Sequence, residues 1–395
     1  MILALVAAAC SGTTGGGAPA GSGPLVIVSA PLTAQPWIGR FTEQGARLAV
    51  EQLNAMPHRT SKIRLQVLDN AASPQQAAAI AGKAVSEHAA ALITDGTAAL
   101  AVSHVTDPAN LPVFVVFDGG SSFIDAHQHP TMFRLAPANQ YLTRRLADYV
   151  ATKTSTAAVF GDDTSYGRDG VVPLTADLRH NSIQVTDSTV LPAGARDVSA
   201  QVLTARRSGA HALLVWAGPS DVAAVIRTAR STGWNVPIYT SPTGEDPLVR
   251  QRLADHPEWI DGITFVSFRI TTEQGPRPFN AFRAAVERRF GPDRVGVTAD
   301  GRPVTQPPDW ATYSYDAVVL IDTALAHSGA NTGAPLLTAL QQVATTSANG
   351  DERGFGPDDR EGVSPSDMYL GIFHHMRFTP VTDDLLSTHL PTVAQ

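Results

Sequence analysis

The thirty residues from Leu25 to Asn54, LVIVSAPLTAQPWIGRFTEQGARLAVEQLN, constrain this chain more than any other stretch. Leu25 to Val28 is a short apolar run rich in β-branched residues and is closed by the turn-like Ala30-Pro31. A polar, proline-broken crossing follows, carrying one aromatic, Trp37. Beyond it Phe41, Ala46, Leu48, Ala49 and Leu53 recur at helical spacing, with Gly45 as a point of close packing. Strand, polar loop and helix in this order make the first unit of an open α/β sheet. In such sheets ligands bind outside the carboxyl ends of the strands.

The alternation continues. Strands are expected at 63–68, 91–94 and 113–117, with a clear helix at 74–88 marked by Ala77, Ile80, Ala81, Ala84 and Val85. A second cycle begins after Pro137, with strands at 156–160, 183–190, 212–216 and 236–240 and helices at 141–150, 168–178, 198–205 and 220–232. A further strand is expected at 262–268, then an arginine-rich amphipathic helix at 279–290 and a long, mostly apolar one at 310–327. This pattern predicts mostly parallel sheets with helices on both faces. With 395 residues, 43% of them hydrophobic and 16% charged, the chain is long enough for two well-cored domains.

Charge and motifs exclude several functions. A formal net charge of −7 provides no footprint for nucleic acid. No Gly-x-Ser-x-Gly elbow, phosphate-binding P-loop or Gly-x-Gly-x-x-Gly turn follows any strand. The histidine clusters, His127-Gln128-His129 and His374-His375, lack metal-ligand spacing and read as surface loops. Neither catalysis nor a metal or cofactor is expected. The single cysteine, Cys10, rules out an intrachain disulfide. It ends the apolar run Leu5 to Ala9 and precedes a Gly/Ser/Thr tether reaching to about Gly23.

The loop Phe117-Asp118-Gly119-Gly120-Ser121-Ser122 pairs glycines that allow close backbone approach with serines at an expected helix start. That chemistry suits an anion, above all a carboxylate, and equally suits a plain helix-capping turn. Thr97 ends one strand and opens a helix, so it is either a ligand contact or the cap. Tyr166 is either a cleft residue or an ordinary core tyrosine with one polar end. Trp37 is either a wall for a ligand side chain or a staple over the first helix.

The wording of several segments resembles one family. APLT followed by QGARLAVEQLN, then VFGDDTSYGRDG and YSYDAVVLIDTALAHSG, are similar to the leucine/isoleucine/valine-binding family of ABC-transporter substrate-binding proteins. The resemblance covers Leu25 to about Phe378 and implies a two-lobed type I periplasmic-binding fold, each lobe a mostly parallel sheet flanked by helices, joined by a three-strand hinge. It implies one lobe from residues 25–137 and 263–346 and a second from 138–262 and 347–395, with crossings near Pro137, Gly262 and Ser347 to Gly354. It implies a ligand α-carboxylate held by Gly119, Ser121 and Thr97, and closure over the ligand through Tyr166. The family's acidic residue, which pairs with a ligand ammonium, is replaced by Thr243; Glu245, Asp246, Asp118 or Asp95 could stand in, or the ligand lacks an amine.

Residues 1–24 resemble a signal remnant and lipoprotein tether, with lipidation on Cys10, although Ala7 stands where leucine is usual and no basic segment precedes it. The implied protein is exported, lipid-anchored and non-enzymatic. Its partners are a small-molecule ligand, a membrane permease and the membrane itself through the anchor. A ligand-sensing receptor or regulator module of the same fold is the alternative.

Overall fold

Successive residues of the central strands face opposite ways, and both directions are apolar. In β1 (Leu25–Ala30), Val26, Val28 and Ala30 join one buried cluster, while Leu25 and Ile27 join another on the far side. Strands buried on both faces belong to parallel sheets covered by helices. The computed structural model describes residues 23–59, 61–268, 277–298 and 301–384, and it has that architecture. Cys10, most of its tether and the final segment lie outside the described residues.

The first sheet joins β1 to β2 (Arg64–Asp69), β3 (Ala91–Thr94), β4 (Val113–Val115) and β5 (Met132–Arg134). All its pairings are parallel, in the order β2-β1-β3-β4-β5. Helices α1 (Pro36–Asn54), α2 (Pro74–Ser86) and α3 (Ala99–Thr106) connect the strands. Ser73 caps α2 through the Gln76 N–H, and Pro74 fills a position that needs no donor.

The second sheet runs β16-β15-β10-β9-β8-β6-β7. Its parallel strands are β6 (Thr156–Asp162), β7 (Gln184–Leu191), β8 (Leu213–Trp216), β9 (Ile238–Thr240) and β10 (Thr264–Phe268). Helices α4 (Asn139–Ala151), α5 (Ser165–His180), α6 (Ser199–Arg207), α7 (Pro219–Ser231) and α8 (Pro247–Arg252) surround them. The chain then forms α9 (Arg277–Phe290), a hairpin of β11 (Asp293–Val297) and β12 (Pro303–Gln306), α10 (Ala311–Ser328), α11 (Ala334–Leu340), and a hairpin of β13 (Ala344–Thr346) and β14 (Glu352–Gly354). Antiparallel β15 (Met368–His374) and β16 (Arg377–Pro380) complete the second sheet.

Two crossings differ in place from the expectation. The strand at 264–268 pairs with β9 and β15, so the chain leaves the second sheet after Phe268 rather than near Gly262. Phe355 packs on Phe114 and Phe133 of the first sheet, and Arg134 bridges Glu361. The last crossing therefore falls between Val363 and Met368. An apolar strand pattern reports burial but does not say which sheet buries it.

α10 returns to the first lobe and packs along α1. Gly45 permits that contact: a Cβ there would stand 2.0 Å from the Ala311 carbonyl oxygen and 2.4 Å from Ser314 Oγ. Backbone cannot yield as a flexible side chain can, so Gly45→Ala should push the two helices apart. A loss of about 1–3 kcal/mol is expected for overpacking of this kind. Equilibrium urea unfolding measures it; an unchanged midpoint would show that the helices slide freely.

Candidate functional site

In a sheet ordered β2-β1-β3-β4-β5 the connections diverge between β1 and β3, leaving a crevice at their carboxyl ends. The second sheet has the same switch between β6 and β8. The loops from both crevices line one cavity of about 850 Å³. Trp37 and Thr97 come from the first sheet's pair of loops, and Asp162, Tyr166 and Gly218 from the second's. Phe117, Trp310 and Tyr313 add an aromatic floor, with ring centroids 5.6 Å apart in edge-on contacts.

The structure brings five of the expected residues to this wall: Trp37, Thr97, Gly119, Tyr166 and Thr243. Trp37 stands in the first turn of α1, 6.0 Å from the Phe41 ring, with the Arg40 guanidinium over its face. It packs on Phe41 of the same helix and also lines the cavity. Thr97 is not the cap of α3; that place falls to Ala98, in the left-handed region at φ 54°. Its hydroxyl instead donates to Asp95 Oδ2 at 2.6 Å. Tyr166 packs on buried Trp216, with its hydroxyl buried beside Ser241 and Thr243. Tyr166 therefore lines the cavity and packs against the core at once.

The loop after β4 differs from its expected form. Residues 116–131 make turns rather than a helix, so there is no row of free amides at a helix start. The Gly120 N–H donates to Asp118 Oδ1 at 2.8 Å, and the buried Arg134 donates to the Gly120 carbonyl and to Glu361. Ser121 is exposed and lies off the cavity wall, whereas Ser122 lines it. The place expected to cradle a carboxylate already holds one, belonging to Asp118.

Thr243 donates its proton to the Ala217 carbonyl at 2.6 Å and has the Ser241 hydroxyl at 2.7 Å. Glu245 turns away from the cavity and accepts from Ser267 Oγ and Trp310 Nε1, both at 2.6 Å. Burial pushes its pKa up to about 8. Asp246, only 5% exposed, does line the cavity. It caps α8 through the Leu248 N–H, and burial raises its pKa to about 6. Asp309 beside them is raised too, by burial and by the Glu245 charge.

Sequence reasoning named Asp95, Asp118 and Asp246 as stand-ins and missed Asp162, Asp169 and Asp221, which also line the cavity. Asp169 follows Tyr166 by three residues on α5, so helical spacing alone places both on one face. Asp162 and Asp221 gave no such signal. Their partners are backbone amides of distant loops, Gly218 for the first and Gly194 for the second.

Among the described residues no group of three His, Cys, Asp or Glu is placed to hold a metal ion, and no helix is long and apolar enough to cross a membrane.

The sequence pattern of a family described as periplasmic binding protein matches residues 32–371. No curated relative matches in sequence. Among solved structures, the chain is similar to a type 1 periplasmic binding protein from Bordetella pertussis Tohama I, with TM-score 0.80 and 19% identity over 91% of this chain and 99% of that one. It is also similar to the branched-chain amino acid transporter substrate binding protein LivJ of Streptococcus pneumoniae, in complex with isoleucine. There the TM-score is 0.77 and identity 16%, over 90% and 97% of the two chains. A third is an ABC-transporter solute binding protein from Rhodopseudomonas palustris in complex with 3,4-dihydroxybenzoic acid, with TM-score 0.74 and 17% identity over 89% and 93%. At these identities the structures share the fold.

The buried carboxyls give folding a definite pH dependence. Glu245, raised to about 8, Asp316, raised to about 7, and Asp246, raised to about 6, all hold protons more tightly in the folded chain than in the unfolded one. Their contribution is complete below the ordinary carboxyl range and is lost as pH rises through these values. The melting temperature of the free protein should therefore fall between about pH 4 and pH 8. Glu245→Gln should flatten the upper part of that slope, and a profile rising over this window would contradict the arrangement.

Proposed function

The chain belongs to the periplasmic binding protein family, and on that footing we propose that it captures a small polar ligand of amino-acid size by closure of two lobes and presents it to an ABC importer. The observation that carries this reading is the facing of two switch-point crevices across one cavity. Neither crevice encloses a ligand alone. A ligand touching both walls binds the closed arrangement better than the open one and shifts the population towards it. Two similar structures carry isoleucine and 3,4-dihydroxybenzoic acid, molecules of a size that this cavity admits. In this reading Trp37, Thr97 and Gly119 contact the ligand from one side, and Tyr166 and Thr243 from the other. The lobes are residues 25–137 with most of 277–363, and 138–268 with the strands from Met368 onwards.

The matching family places such proteins outside the cytoplasm, and the proposed anchor is a lipid on Cys10. Cys10→Ala should then move the protein from the membrane fraction to the soluble one on cell fractionation. Retention of the variant in the membrane would remove the anchor from the scheme.

Closure has two direct readouts. Ligand should shrink the radius of gyration in small-angle X-ray scattering, and it should change tryptophan emission, since Trp37 and Trp310 line the cavity. Trp37→Ala should weaken affinity by roughly tenfold or more in calorimetry, the usual effect of removing a well-packed aromatic anchor. Unchanged affinity would place the ligand elsewhere. Loss of ligand uptake on gene deletion distinguishes import from a sensing role.

A further inference from the structure

The cavity that this reading makes the ligand site has a one-sided wall. Six aspartates line it and, among the described residues, no lysine, arginine or histidine does. Two of the six, Asp162 and Asp221, are taken up by backbone amides. Asp95 accepts from Asn70 and Thr97. Asp118, Asp169 and Asp246 are different. Asp118 uses one oxygen on the Gly120 amide, and Asp246 uses one on the Leu248 amide. Asp169 is exposed on α5 and faces Asp118 from the other lobe. A Cβ added to Gly120 would stand 3.0 Å from Asp118 Oδ1 and 3.7 Å from Asp169 Oδ2. The two carboxylates thus flank one small space, and the Asp118 pKa is raised by burial above all, with the Gly120 amide and Arg134 opposing and the charges of Asp169 and Asp95 adding to it.

A second observation, independent of charge, points the same way. Four wall hydroxyls are held by hydrogen bonds, and each spends its proton inward. Thr97 donates to Asp95, Thr164 to Asp162, Thr243 to the Ala217 carbonyl and Ser267 to Glu245. A hydroxyl so engaged has only lone pairs left for a ligand. The wall therefore accepts hydrogen bonds at these four points, and its aromatic floor offers π faces that attract cations.

We infer that the ligand is a small organic cation carrying N–H donors, an amine or guanidinium compound of net positive charge, gripped between Asp118 of one lobe and Asp169 of the other. This rests on the capture reading and adds the ligand's charge to it. An anionic carboxylate alone would face six aspartates that no lysine, arginine or histidine of the described wall offsets, with the buried Tyr166 hydroxyl as a free donor. Because no three carboxylates converge as metal ligands among the described residues, an organic cation rather than a metal ion fits the space. A cation between Asp118 and Asp169 touches both lobes, so it binds the closed arrangement better than the open one.

The test is thermal shift and calorimetry on the full chain at pH 7.5 with 1,4-diaminobutane, agmatine, leucine and benzoate. The two amines should stabilise the protein saturably, with affinity falling as salt is added, while leucine and benzoate leave it unchanged. Asp169→Asn, at an exposed position free of structural partners, should weaken amine binding about tenfold, in line with loss of one charge-assisted contact, and Asp169→Glu should restore most of it. If leucine or benzoate binds and contracts the scattering profile while the amines do nothing, the charge assignment falls and capture stands. If none of the four binds, both fall. Amine binding that Asp169→Asn leaves intact would overturn the assigned grip.

Discussion

Two parallel strands cannot be joined by a hairpin, and this constraint governs everything at the site. Each connection must cross a face of the sheet and return, so every strand ends along the same edge. Wherever the connections diverge to opposite faces, that edge splits into a crevice. This chain builds the arrangement twice, between β1 and β3 and between β6 and β8, and directs both crevices at a common space. The cavity walls are a consequence of strand order, and loop residues such as Trp37 and Tyr166 only dress them.

The wall's polarity follows from how its carboxylates are satisfied. A carboxylate removed from water must receive hydrogen bonds, and the nearest donors here are the wall's own hydroxyls and loop amides. Thr97, Thr164 and Ser267 supply protons to Asp95, Asp162 and Glu245, and Gly120 supplies its amide to Asp118. Donors committed to the protein's own acids are unavailable to a ligand acid. Glu245 has a separate part: buried between Ser267 of β10 and Trp310 at the start of α10, it ties the second sheet to the helix that returns to the first lobe.

Much of the fold was legible from local pattern. The strand–loop–helix unit at Leu25 to Asn54, the close approach at Gly45 and the buried strands of both cycles follow from periodicity and residue size, which act over one or two turns of chain. Less legible were β5, β15, β16 and the small hairpins. β5, β13 and β14 are only three residues long, β11, β12 and β16 four or five, and β15 pairs with β10 far off in sequence. At the site, residues on the crevice loops were legible because loop position already implies exposure at the strand ends. Ser121 was expected beside Gly119, but a turn rather than a helix follows β4, and that geometry depends on Arg134 and Asp118. Asp221 acquires its place through the amide of a loop remote in the chain, and Asp162 through such an amide together with the nearby Thr164.

By itself the sequence determined the class of fold and the run of strand, loop and helix that builds it, since each is written in residues close along the chain. Only the tertiary structure decided which sheet β10 joins, which way the wall hydroxyls donate and that Asp118 and Asp169 meet across the cavity. Those are relations between segments that local propensity does not encode. They arise when two separately built edges face each other across the cavity.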